Sequence, residues 1–223
     1  ISQFFWHDVL KKNKFNKEKN KLIELEMNFI SSTKPPILGN KIFTMDEIRR
    51  AENFIPIDNI KNPLFKTRII DKSRNYILVT DGTTPESRNF ISSKIEEIGF
   101  FCEKNKFNLY LSPRIINKSI SIDYEIFDYS ENAFSKVFAA ICRPGLGILT
   151  DLMFFSSIPI PIFSENNEEL KFNKKVIYNF LKFDSNSLVS LMNFSLKNKN
   201  RLSSILNEQT FNGDDEVVEY LFS

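Results

Sequence analysis

The stretch AAICRPGLGILTD, residues 139–151, decides the fold. Its first four residues form a short apolar run that predicts a buried strand over 139–142. The loop that follows contains Gly145 and Gly147, and a helix is predicted over 148–155. A buried strand, a glycine-bearing loop and a helix in this order are the repeating unit of parallel α/β sheets.

The same alternation of apolar runs and amphipathic stretches continues on both sides of this unit. It predicts an α/β protein with a Rossmann-like, doubly wound parallel sheet. Residues 90–98 have helical spacing, and Gly99 is predicted to end that helix. Strands are predicted at 76–80, 107–111, 124–127, 139–142 and 160–163, and later helices at 173–181 and 188–206.

The residues before position 74 follow a different pattern. A helix is predicted at 22–29, strand-like segments at 41–44 and 53–57, and a connection at 59–73. These pieces contain too few strands for a doubly wound sheet of their own. They are interpreted as the tail of a truncated domain or as an appendage that packs on the main one.

Composition excludes several classes of protein. Lys and Arg total 30 against 28 Asp and Glu, spread along the chain, so no nucleic-acid partner is expected. Cys102 and Cys142 lie in apolar surroundings without zinc spacing, which predicts reduced thiols and no metal site. No signal peptide or run of about 18 apolar residues is present, so a soluble, cytoplasmic protein is expected. A lysine-rich run at 11–21 favours a solvated helix face and leaves peripheral membrane contact open.

Two turns carry the candidate chemistry. In the first, Gly82 permits close approach of a ligand, and Thr83 or Thr84 can cap the helix that follows, whose free amides attract phosphate. An ordinary αβ connection has the same features, so that alternative stays open. In the second, Gly145 and Gly147 leave room for a diphosphate, without the three-glycine dinucleotide fingerprint.

The second turn and the residues after it resemble the donor-binding signature of GT-B glycosyltransferases that use UDP-sugars. Among these, the resemblance is to the peptidoglycan UDP-N-acetylglucosamine transferase family. The sequence departs from the family pattern where Leu170 replaces a Gln and Asp151 replaces a Glu. The matching residues, in order, are Arg143, Gly145, Thr150, Asp151, Pro159, Glu169 and Asn173.

The resemblance implies a role for each part of the site. Thr83, Thr84 and the amides near Gly145 would hold the diphosphate, Asp151 would hold the ribose, and the backbone at 126–128 would hold the base. Arg143 would contact the phosphates or form an internal ion pair. Glu169 and Asn173 would lie near the sugar. The implied donor-binding set is Gly82, Thr83, Thr84, Phe127, Arg143, Gly145, Leu146, Gly147, Thr150, Asp151, Glu169 and Asn173.

The function implied by the resemblance is transfer of a sugar from a nucleotide-sugar to an unknown acceptor, without a cofactor. Residues 1–73 would be a remnant of the acceptor domain plus a linker, and residues 74–223 the nucleotide-sugar-binding domain with C-terminal helices. The catalytic base is unassigned, because His7 is the only histidine and a packed or surface role is favoured for it. Such a fragment is expected to bind the donor without catalysing transfer.

Two alternatives stay open at this stage. One is a nucleotide-sugar hydrolase or epimerase on the same fold, and the other is a non-catalytic nucleotide-sugar-binding or interaction domain. All three interpretations require one spatial arrangement. The turns that end at Thr84 and Asp151 must lie side by side at the carboxyl edge of one parallel sheet.

Overall fold

The computed structural model describes residues 17–71, 73–81, 84–116 and 120–222. Contacts divide the chain into unit 1, which comprises Ile1–Ile60 and Thr210–Ser223, and unit 2, which comprises Lys61–Gln209. The predicted boundary at 73/74 thus differs from the observed one, and the last residues belong to unit 1. The connection after residue 60 joins unit 2 because the Phe65 ring is buried there among other aromatic rings.

The described residues form two parallel sheets and the helices that connect their strands. In chain order the elements are α1 (Lys17–Thr33), β1 (Ile37–Asn40), α2 (Asp46–Arg49), β2 (Phe54–Ile57), β3 (Tyr76–Val79), α3 (Pro85–Ser92), α4 (Ile95–Asn105), β4 (Asn108–Leu111), β5 (Glu125–Ile126), α5 (Glu131–Ser135), β6 (Val137–Cys142), α6 (Leu146–Phe154), β7 (Ile158–Pro161), α7 (Glu168–Leu181), α8 (Leu188–Lys197), α9 (Lys199–Asn207) and α10 (Gly213–Phe222).

Unit 1 contains a two-stranded parallel sheet, β1 beside β2, with Ile37 opposite Phe54. The predicted helix at 22–29 lies within α1, and the predicted strand at 53–57 corresponds to β2. The predicted strand at 41–44 is wrong. Those residues form a turn because the Asn40 side chain accepts hydrogen bonds from the amides of Ile42 and Phe43.

Unit 2 is built on a five-stranded parallel sheet with the order β5-β4-β3-β6-β7. The order reverses at β3, so right-handed crossovers lead to opposite faces of the sheet. All six residues of β6 are buried, as expected for a strand covered on both faces. The prediction of an α/β fold with a Rossmann-like parallel sheet is confirmed.

The first predicted helix of unit 2 differs from the observed structure. Two helices, α3 and α4, occupy this region, and Gly99 lies inside α4 rather than at its end. A Cβ added at Gly99 would lie 2.5 Å from Cδ1 of Ile122, so this glycine allows the loop before β5 to pack closely. The helix instead ends at Lys106, whose backbone is left-handed with φ of 60°.

Two later elements also differ from prediction. The helix predicted over 188–206 is divided into α8 and α9 at Asn198, whose φ of −105° and ψ of 18° are not helical. The last strand begins two residues earlier than predicted. It tolerates Pro159 and Pro161 because it is the sheet edge, and the amide of Ile162 still bonds to Cys142. None of the described helices is both long enough and apolar enough to cross a bilayer.

Candidate functional site

The carboxyl ends of β3 and β6 lie next to each other in the sheet. Val79 is opposite Ile141, and the amide of Thr80 donates to the Ile141 carbonyl at 2.9 Å. The carboxyl ends of the two strands are therefore adjacent, and Glu165 joins Thr84 to Arg143, as the predicted arrangement requires. This is the switch point of the sheet, where ligands of open α/β proteins bind.

A cavity of about 350 Å³ opens at this edge of unit 2. We call it the switch-point cavity. Its walls follow the ends of four different strands, and its charged side chains are two carboxylates and two guanidiniums. The lining residues are Thr80, Asp81, Arg114, Tyr129, Arg143, Gly145, Gly147, Ile148 and Asp151.

The amino terminus of α6 borders the cavity and has no side-chain cap. Gly145 is the N-cap residue, and the first intrahelical bond runs from the Leu149 amide to its carbonyl. The amides of Leu146, Gly147 and Ile148 therefore have no helical acceptor. These donors and the helix dipole give this wall of the cavity a positive character.

The two glycines at this helix start are not needed for packing or for unusual backbone geometry. A Cβ added at Gly145 or Gly147 would meet no protein atom within 4 Å. Neither has positive φ, and Gly145 has φ of −73° and ψ of 144°. The absent side chains thus keep space open beside the free amides, which is the arrangement that a closely approaching anion requires.

Asp151 lies on α6 four residues after Gly147, which places both on one helix face along the cavity. Burial raises the pKa of the Asp151 carboxyl from 3.8 to about 6, while a hydrogen bond with the Asn62 side chain opposes this effect. The carboxylate is ionised above about pH 6. In that form it can accept hydrogen bonds from two hydroxyl groups.

Glu165 joins three loops beside the cavity. Its Oε1 accepts hydrogen bonds from Arg143 Nε at 2.7 Å and from Thr84 Oγ1 at 3.2 Å. Burial raises the pKa of Glu165, but the bonds from Arg143 and Thr84 hold it below its usual value. Of the two roles considered for Arg143, the internal ion pair is observed, and the side chain also lines the cavity.

Thr84 and Thr150 both use their hydroxyl groups within the fold. Thr84 caps α3 by accepting the Ser87 amide at 3.2 Å. Thr150 Oγ1 donates back along its own helix to the carbonyls of Leu146 and Gly147. The hydroxyls hold the starts of α3 and α6 in place, and at the start of α6 the backbone amides are left to face a ligand.

A chain of hydrogen bonds crosses the cavity wall opposite α6. The Tyr129 hydroxyl donates to Ser112 Oγ at 3.0 Å, and Ser112 donates to Asp81 Oδ1 at 2.9 Å. Asp81 Oδ2 is buried and has no hydrogen-bond partner among the described residues. Near this wall, Arg114 is exposed and forms no ion pair within the described residues.

Sequence reasoning missed most of this wall. The signal that could have found these residues is their position just after predicted strands, where ligands of α/β proteins bind. Ser112 and Arg114 follow β4, and Tyr129 follows β5. No motif marks their residue types. Glu165 lies beyond β7 and was also missed, because its partners Thr84 and Arg143 are distant in sequence.

Other predicted site residues are buried in the core. Phe127 is fully buried among aromatic rings, and its amide bonds to the Leu111 carbonyl. Asn173 is fully buried, and its side-chain amide donates to the Pro144 carbonyl at 2.9 Å, which holds the loop before α6. Leu170, which replaces the family's Gln, is 1% exposed and belongs to the core.

The remaining candidates are not part of the cavity wall. Glu169 is half-buried in the first turn of α7 and is not a lining residue of the switch-point cavity. Gly82, Thr83 and His7 lie outside the described residues. Both cysteines are buried and unpaired, and burial raises the pKa of each thiol to about 12.

A larger cavity, of about 520 Å³, lies between α4 and the loop before β5, at the other end of the strands. Glu103, Asp123 and Glu125 line it, without a cationic side chain in its wall. It therefore does not suit an anionic ligand. Across the described residues, no group of three or more His, Cys, Asp or Glu side chains is arranged to hold a metal ion.

Comparison with known proteins shows a similarity of fold to a solved structure. No family model matches the chain, and no curated protein matches it. Among solved structures, the crystal structure of Acinetobacter baumannii MurG aligns with 96% of this chain and 75% of its own, at 12% identity and a TM-score of 0.50. The similarity shows the fold: this chain is an α/β protein with Rossmann-like parallel sheets, of the kind that forms half of the GT-B fold of MurG.

Proposed function

We propose that this chain is the donor-binding part of a glycosyltransferase that uses a nucleotide-sugar, with a UDP-sugar as the donor. The observation that carries the proposal is the uncapped start of α6, where Gly145 and Gly147 leave open space beside free amides at the switch point. The fold shared with MurG supports the same reaction class. The acceptor is unassigned.

The diphosphate of the donor would lie against the start of α6. Its negative charge would be stabilised by the amides of Gly147 and Ile148 and by the helix dipole. Arg143 is held at Nε by Glu165, and its terminal nitrogens make no hydrogen bond within the described residues, which leaves them available to the phosphates. Stabilising a diphosphate leaving group is what sugar transfer requires of this half of the site.

The ribose would lie beside Asp151. The carboxylate is on the same helix face as Gly147, one turn further along, a spacing of about 6 Å that suits a phosphate and its ribose. When ionised it can accept both ribose hydroxyls. We expect nucleotide affinity to fall as the pH drops through about 6, because protonation removes an acceptor and adds a donor.

Calorimetric titration of UDP into wild-type protein and the Gly147→Ala variant tests the proposal. The added methyl group meets no protein atom, so the variant should be as stable as wild type or more stable by up to about 1 kcal/mol. Its UDP affinity should fall by at least about tenfold, because the methyl group occupies the space for the phosphate.

Ser190→Ala is the control, since it places an alanine at an exposed helical position of α8 that does not line the switch-point cavity. It should leave UDP affinity unchanged. Absence of binding heat for wild-type protein at millimolar UDP would reject the proposal. Equal UDP affinity in wild type and Gly147→Ala would reject the assigned position of the diphosphate.

A second candidate is a binding domain that recognises the nucleotide but not the sugar. The burial of Leu170 and Asn173 favours it, because two positions that would contact the sugar belong to the core. Comparison of UDP with UDP-N-acetylglucosamine separates the candidates. Tighter binding of the sugar nucleotide supports the transferase, and equal affinity supports the binding domain.

A further inference from the structure

We infer that Tyr129 is the aromatic platform on which the nucleotide base stacks, so that the site selects a nucleoside diphosphate over a free diphosphate. The inference rests on the proposed function, because it places the base in the same cavity that would hold the diphosphate and the ribose. Tyr129 lines the switch-point cavity from the loop after β5, across from the helix start that would hold the phosphates.

Tyr129 differs in exposure from the rings around it. Its side chain is 42% exposed, whereas Phe127 and Phe134 are buried. The Tyr129 ring meets Phe127 in a T-shaped contact, with centroids 4.8 Å apart and planes at 67°. The core thus holds this ring from one side and leaves part of it open toward the cavity.

The hydroxyl of Tyr129 is fixed as well. It donates to Ser112 Oγ, and Ser112 in turn donates to Asp81 Oδ1, so the ring is held at both ends. A ring that is already immobilised loses little conformational entropy when a ligand packs on it.

The backbone of Tyr129 is also unusual. Its φ of 60° lies in the left-handed region, which disfavours residues with a bulky side chain. Asn or Gly would adopt this conformation more readily. The strained backbone of Tyr129 lies at the edge of a cavity, and such backbone conformations cluster at binding sites.

The aromatic ring of Tyr129 would recognise the base of the nucleotide. All nucleobases present a flat aromatic face, and stacking on a protein ring contributes about 5- to 150-fold in affinity per base. A free diphosphate has no such face. The ratio of UDP affinity to pyrophosphate affinity therefore measures the contribution of Tyr129.

The test compares this ratio in wild type, Tyr129→Asn and Tyr129→Phe. Asn accepts the left-handed backbone but removes the ring, so UDP affinity should fall by about 5- to 150-fold while pyrophosphate affinity stays within about twofold. Phe keeps the ring, so the ratio should stay within about threefold of wild type. Equal losses for both ligands, or no loss of UDP affinity in Tyr129→Asn, would overturn the inference.

A measurement on the wild-type protein covers the case in which Tyr129→Asn does not fold. The uracil H5 and H6 resonances of bound UDP should shift upfield, because the base lies over an aromatic ring. Unshifted resonances would overturn the inference while leaving diphosphate binding intact. If neither UDP nor pyrophosphate binds the wild-type protein, the proposed function fails together with the inference.

Discussion

Replacing Asp151 with Asn should make unit 2 more stable at neutral pH, although it removes a carboxylate assigned to the ligand. Burial raises the pKa of Asp151 from 3.8 to about 6. A pKa difference of about 2 corresponds to about 3 kcal/mol of lost stability once the group is ionised. The side chain borders an open cavity, so solvent screening lowers this figure, and we expect a gain of about 1.5 to 3 kcal/mol for the variant.

The sign of the effect depends on pH. Between about pH 4 and pH 6 the folded wild-type protein binds more protons at Asp151 than the unfolded chain does, so its stability falls as the pH rises. Above about pH 6 both states are ionised and this contribution is constant. The advantage of Asp151→Asn should therefore be full above pH 6 and should disappear below about pH 4.

Hydrogen exchange of the β6 amides at several pH values between about 4 and about 8 measures this difference, because those amides report the opening of unit 2. The control is Asp184→Asn, which changes an exposed carboxylate and should show no pH-dependent gain. Lower stability of Asp151→Asn at neutral pH, or a gain that does not change with pH, would refute the reasoning.

Three further outcomes are expected. Asn173→Ala should destabilise unit 2 by about 1 to 3 kcal/mol in urea unfolding, because it leaves the Pro144 carbonyl without its buried donor. Leu170→Gln should also destabilise the fold, by about 1 to 3 kcal/mol, since it places an amide in the core; unchanged urea midpoints would contradict both expectations. Cys102 and Cys142 should resist a thiol reagent in the native protein at pH 8 and react once urea is added, because burial raises their pKa values to about 12.

The sequence predicts the sheet of unit 2 well because its strands are short apolar runs that are buried on both faces. The six residues of β6 are all buried, and no Gly, Pro or charged residue interrupts their apolar run. Predictions failed where a tertiary contact determines the local structure. Gly99 has the local signature of a helix end. It lies inside α4, however, and a side chain there would clash with Ile122 from the loop before β5.

The candidate site follows the same rule. The glycines of the second turn lie within one short segment, so the sequence shows the space that they leave at α6. The opposite wall depends on side chains that only the sheet order brings together, such as Asp81, Ser112 and Tyr129. Asn173 matches the family pattern, but it is buried, and its side chain holds the loop before α6.

A crystal structure of the chain with bound UDP would test whether the switch-point cavity is the nucleotide site. The diphosphate oxygens should lie within hydrogen-bonding distance of the Gly147 and Ile148 amides, with the ribose hydroxyls at Asp151. UDP bound in the larger cavity between α4 and the loop before β5, or a diphosphate placed away from α6, would contradict the account.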